Sequence, residues 1–170
     1  MFELKPLSQA AIPRAIAKAE RYRLLGEPQE ADSICRDILR ADPDNQEVMV
    51  MLVLSITDQF ARGSEQHMFD AQRVLEKLRG DYERAYYSGI VCERWVKAQL
   101  KDGGHGGSAS GWFLEALDWY QKAQALSPPG NEDAVLRWNA CVRFLEHNPA
   151  LLSLEGSAAE SGFSDSTPTR

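Results

Sequence analysis

Ala31-Asp32-Ser33-Ile34-Cys35, followed by Pro43, and Ala116-Leu117-Asp118-Trp119-Tyr120, followed by Pro128, share one spacing. In each, a larger residue stands four positions after an alanine, and a proline stands eight positions after that. Residues four apart lie on the same helix face. The alanine lets a second helix come close, and the larger side chain fills the same interface one turn later. The proline has no backbone N–H to extend the helix, so it ends the helix and begins the next connection. A third copy, Ala71-x3-Leu75, carries Glu83 where the proline would stand. The chain is therefore expected to be a series of short helices meeting in close pairs.

Around the first copy, Pro28 opens a helix in which Ala31, Ile34, Cys35, Ile38 and Leu39 form an amphipathic stripe. Residues 13–25 read as a preceding helix, with Pro13 tolerable at its first position and Gly26 at its end. Residues 42–45 form a turn, where Asp44 and Glu47 resemble a capping box. Residues 48–54 are apolar without a break and suit a strand on propensity alone. However, residues 46–62 contain no Gly or Pro, and Ile56 and Phe60 continue at helical spacing. That run far exceeds a typical strand of about five or six residues. A helix apolar on most sides, buried between neighbours, is expected instead.

Gly63-Ser64 then breaks the chain, with Ser64 as the next cap, and Ala71, Val74, Leu75 and Leu78 form the following stripe. Residues 82–100 read as a long helix with Gly89 at its middle. A mid-helix glycine costs up to about 1 kcal/mol against alanine, so a close helix contact is expected there. Residues 103–111 hold five Gly and two Ser and suit a flexible connector. Residues 112–126 place Trp112, Phe113, Ala116, Tyr120 and Ala123 on one side, and Pro128-Pro129-Gly130 stops that helix. Asn131 can cap a last helix reaching about His147. From residue 156 onward Phe163 is the only large apolar side chain, a composition expected to stay disordered.

The chain has 170 residues, 44% of them apolar, and a net charge of −6. That balance argues against broad phosphate-backbone binding, so no nucleic-acid partner is expected. The longest apolar run is far short of the roughly 20 residues needed to cross a bilayer, so no membrane insertion is expected. The first residues lack a basic region leading into an apolar stretch, which predicts no secretory signal. Cys35, Cys92 and Cys141 are odd in number and far apart, so a reducing cytoplasm is the simplest home.

The string Gly103-Gly104-His105-Gly106-Gly107 lacks the Gly-Lys-Ser/Thr ending of a phosphate loop and follows a helix rather than a strand. His67, His105 and His147 have no cysteine at metal-ligand spacing. Cys35 and Cys92 fall in interhelical positions, where cysteine acts as a small hydrophobe. The carboxylates read as solvated surface charge. No catalytic, cofactor-binding or metal-ligating residue is assigned, and the chain is not expected to be an enzyme.

The repeated Ala-x3-large…Pro unit resembles the second helix of a tetratricopeptide repeat. The resemblance spans residues 12–148. It implies an all-α, right-handed solenoid of antiparallel helix pairs, with about seven helices. Repeats then fall at residues 12–45, 46–81 and 82–130, with a capping helix at 131–147, a leading segment at 1–11 and a tail at 149–170. Ala19-x2-Tyr22, Leu52-Val53-x2-Ile56 and Gly89-x2-Cys92 keep the size pattern of the first helix without its Trp.

The resemblance implies a concave face lined by the first helices of successive repeats. On that register Met51, Leu54 and Asp58, with Val50, come from the second repeat. Tyr86, Tyr87, Ile90 and Arg94 come from the third, and Asn139 and Arg143 from the last helix. Tyr and Arg are favoured in binding hot spots, and Met adapts to varied partners. Val50 and Leu54 are as readily read as core between tightly wound repeats. Some members of the family clamp a peptide's terminal carboxylate, but the matching positions here hold Ile16, Glu20, Met51, Glu83 and Tyr87. An apolar mode of peptide recognition is implied. The expected function is an adaptor or chaperone-like subunit holding a segment of another protein. The alternative is a self-associating scaffold, a homo-oligomer whose groove is filled internally, for instance by residues 2–7.

Overall fold

The computed structural model describes residues 2–62, 65–101 and 109–151. Among these the chain is all-α. After a 3-10 turn at Gln9–Ala11 come α1 (Ile12–Leu24), α2 (Pro28–Ala41), α3 (Gln46–Thr57), α4 (Glu65–Leu75), α5 (Asp81–Lys101), α6 (Ala109–Leu126) and α7 (Asp133–His147). Each helix packs against the next in the chain, and α1, α3 and α5 also touch in series. Prolines stand in the first turn of α1 and α2, where their missing N–H leaves no helical bond unmade. Gly26 and Gly130 adopt the left-handed backbone conformation that ends a helix or turns a loop, at φ 75° and 85°. The cap at Ser64 and the tail from residue 156 lie outside the described residues.

The three alanines of the repeated unit, Ala31, Ala71 and Ala116, are fully buried, as are their partners Cys35 and Tyr120. Gly89 is a close-contact glycine: a Cβ there would stand 2.5 Å from Cε1 of Tyr120 on α6. Residues 48–54 are helical and lie within α3.

Four local expectations need correction. The run 46–62 is not one helix: α3 stops at Thr57 and a 3-10 turn follows at Phe60–Arg62. Its polar side chains turn back on the backbone, with Ser55 Oγ donating to Met51 O at 2.8 Å, Thr57 Oγ1 to Leu54 O at 2.9 Å and Gln59 Nε2 to Ser55 O at 3.1 Å. Such bonds compete with the helical ladder. The cap of α3 is Asn45, not Asp44, and its Oδ1 accepts from Val48 N at 3.1 Å. α6 begins at Ala109, inside the expected connector, because Ala109 is buried in the core it helps to close. Asn131 does accept from Asp133 N at 3.0 Å, while Glu132 is the residue flanking α7.

α5 is the central element. Val91, Trp95 and Ala98 face a first core with Ile38, Val48, Val53 and Ile56, where Phe60 meets Trp95 edge-on at 5.2 Å. Ile90, Cys92 and Val96 face a second core with Phe113, Tyr120 and Cys141.

Candidate protein-binding surface

The residues expected on the concave face separate into three groups. Met51, Leu54, Tyr86 and Tyr87 are half-buried side chains on α3 and α5. Tyr86 and Tyr87 meet edge-on at 5.1 Å, and Tyr82 stacks on Tyr86 at 5.7 Å. Both Tyr86 and Tyr87 pack on the core that contains Ile90. Ile90 is only 2% exposed, so it belongs to the core and offers no surface itself. Burial, then the neighbouring Tyr86 and Tyr82, pushes the Tyr87 hydroxyl's pKa up, so the ring stays neutral at physiological pH.

Asp58 and Arg94 form the second group, and they bind each other. The Asp58 carboxylate accepts from Arg94 and from Arg23 Nε, the latter at 2.9 Å. Arg94 also donates to Thr57 Oγ1 at 2.8 Å. The cluster ties α1, α3 and α5 together, so these charges are committed to the fold.

Asn139 and Arg143 form the third group, exposed on α7. Arg137 and Phe144 are among the α7 residues that reach α5, with Lys97 Nζ 5.3 Å from the centre of the Phe144 ring. Arg137 stands two positions before Asn139 and so about 200° away around the helix. Arg137 lies 3.8 Å from Glu93 and faces the Tyr86 hydroxyl. The structure therefore does not gather Asn139 and Arg143 with the tyrosines.

Sequence reasoning missed the polar centre that supports this surface. Glu93, expected with the other carboxylates as solvated surface charge, is 2% exposed at the middle of α5. Its carboxylate accepts from Lys97 Nζ at 2.6 Å and from the Tyr120 hydroxyl at 2.6 Å, with Arg137 close by. Burial alone would raise its pKa, but the Lys97 and Tyr120 hydrogen bonds and the two cations outweigh burial and hold it below the usual carboxylate range. Tyr120 is pushed far up, by burial and then by the Glu93 charge, and keeps its proton to donate. The signal was present: Glu93 interrupts the apolar sequence Ile90-Val91-Cys92 before Trp95-Val96, with Lys97 four residues on.

The three thiols are buried, and burial pushes each up to about 12. At neutral pH they are protonated and poor nucleophiles. Among the described residues no cluster of His, Cys, Asp or Glu is placed to hold a metal ion, and no helix is long and apolar enough to cross a membrane. No family model matches the chain, and no curated protein matches its sequence.

The leading segment does not cross the tyrosine surface. Gln9 Nε2 donates to Ala41 O at 2.6 Å, and Leu7 packs on the first core near the end of α2.

Proposed function

We propose that this chain is a non-enzymatic protein-interaction module, an adaptor or chaperone-like subunit of tetratricopeptide type. It holds a segment of another protein on the face of α5 between α3 and α7. The observation that carries this reading is the tyrosine shelf. Tyr86 packs on buried Tyr120, and both Tyr86 and Tyr87 rest on the second core with Leu54, yet each stays partly exposed, as does Met51 on α3. Braced aromatic rings offer contact area with little conformational entropy left to lose. The seat of residues 7–9 on α2 supports an open face rather than one filled by the leading segment.

The test is a photoreactive phenylalanine analogue at position 87, compared with one at exposed position 139, in the native source. The expected result is cross-linking of one distinct protein from position 87 and little from position 139. Tyr87→Ala is expected to weaken that partner's binding about tenfold or more, about 1.4 kcal/mol. Cross-links only to a second copy of the chain, with a dimer in sedimentation, would replace this reading with the scaffold.

A further inference from the structure

We propose that the groove between α2 and α4, which no tyrosine lines, docks an acidic amphipathic segment of another protein. The groove exists because α2 and α4 pack through α3 rather than on each other. It encloses about 330 Å³. Its floor is apolar: Leu39 from α2 and Val74 from α4, both partly exposed, over Met49 and Leu52 from α3, which are each 3% exposed and close the floor from below. Its walls are cationic. Arg36 and Arg40 stand one turn apart on α2, and Arg73 and Lys77 stand four positions apart along α4 and its exit.

Four cations face one carboxylate in this lining, Asp70, in a chain of net charge −6. Asp70 pairs with Arg73 at 2.8 Å, and Arg36 pairs with Asp32 of its own helix. Among the described residues Arg40 and Lys77 have no ion-pair partner. One positive charge on each wall is thus left over, on either side of an apolar trough. Phe69, 54% exposed, lies one turn before Arg73 on α4 and extends the apolar surface past the cations.

Charge complementarity and the apolar floor together define the occupant. A helix or strand with aliphatic side chains on one face fills the trough. Carboxylates along its two edges meet Arg40 and Lys77. A nucleic-acid backbone would satisfy the cations but has nothing to place on Leu39 and Val74. This site is independent of the tyrosine shelf and stands if that surface proves inert.

The test measures fluorescence anisotropy with the full chain. The probe is a labelled helix-forming peptide of about 16 residues, with leucines on one face and glutamates on both edges. Controls are the same peptide with lysines for glutamates, a single-stranded DNA of about 20 nucleotides, and a peptide of residues 152–170. The expected result is micromolar binding of the glutamate peptide alone. It should weaken at least tenfold in the Arg40→Glu/Lys77→Glu variant, whose circular dichroism and unfolding midpoint should stay unchanged because neither side chain has a partner to lose. Equal binding to that variant would overturn the proposal. So would tighter binding of the DNA, which would make the groove a nucleic-acid site. Equal binding of the 152–170 peptide, lost in the same variant, would make the chain's own tail the occupant.

Discussion

α3 and α5 are both enclosed by neighbouring helices, but by different physics. α3 places Val48, Met49, Leu52, Val53 and Ile56 in its surroundings, and its polar side chains Ser55 and Thr57 bond its own carbonyls. Its burial is non-directional and tolerates apolar exchange of similar volume. α5 is as closely surrounded, yet it carries Glu93 inside. That carboxylate meets groups from three helices: it accepts from Lys97 of α5 and Tyr120 of α6, and Arg137 of α7 stands 3.8 Å away as a second cation. Such a network holds only if its donors arrive together. The first half of the molecule is thus assembled by pattern, and the second half by geometry around one charge.

The largest expected effect breaks that charge centre. Glu93→Ala strands the Tyr120 hydroxyl in a fully buried site, while Lys97 and Arg137, 33% and 38% exposed, can turn to water. A buried donor left without its charged partner costs about 1–3 kcal/mol, and the emptied volume adds to it. Ile56→Val on α3 removes one methylene and should cost about 1 kcal/mol. Urea unfolding of both variants at pH 7 makes the comparison. Equal losses would mean that Glu93 is solvated and that the two helices are buried alike.

A pH series sharpens the same point. The folded-state pKa of Glu93 is depressed, so its stabilising contribution is complete above the ordinary glutamate value of about 4.3. It is lost as pH falls below that value and through the folded one, because the unfolded chain binds the proton first. Glu93→Gln should therefore lower the thermal midpoint at pH 7, and the gap from the parent protein should close as pH drops from about 5 toward 3. A gap that stays constant over this range would remove the charge from the explanation and leave only shape.

The helices were legible because their signals repeat. The Ala-x3-large spacing, the stripes of α2 and α4 and the prolines after α2 and α6 state the same thing more than once, and each states which face is buried. Gly89 was legible for a different reason: an unfavourable residue mid-helix needs a contact to explain it, and Tyr120 supplies one. Glu93 was obscured because a helix buried on nearly all sides has little periodicity against which a charged residue stands out. Ile90 was misplaced for a related reason, since register gives a direction from the axis but not what covers it, and here Ile90 lies inside the second core. Asn139 and Arg143 depended on the orientation of the last helix, which buries Ala134, Cys141 and Leu145 against residues far away in the chain that no local pattern connects to it.

The smallest expected effect concerns the ionic tie of the first half. Asp58 joins α1 to α5 through Arg23 and Arg94, but all three side chains are between 22% and 27% exposed. Asp58→Asn keeps the shape and an acceptor for one arginine while removing the charge. Pairs this open to water contribute at most about 1 kcal/mol, and salt screens them. The Debye length falls from about 10 Å at 0.1 M to about 3 Å at 1 M. The loss in Asp58→Asn, read by urea unfolding, should therefore be about 1 kcal/mol or less and should shrink in 1 M NaCl. The loss in Glu93→Ala should persist there, because water and counterions do not reach a carboxylate that is 2% exposed. A salt-insensitive loss of several kcal/mol at Asp58 would place a second geometry-dependent centre in the first half. The contrast between α3 and α5 would then be one of position along the chain rather than of the forces that bury them.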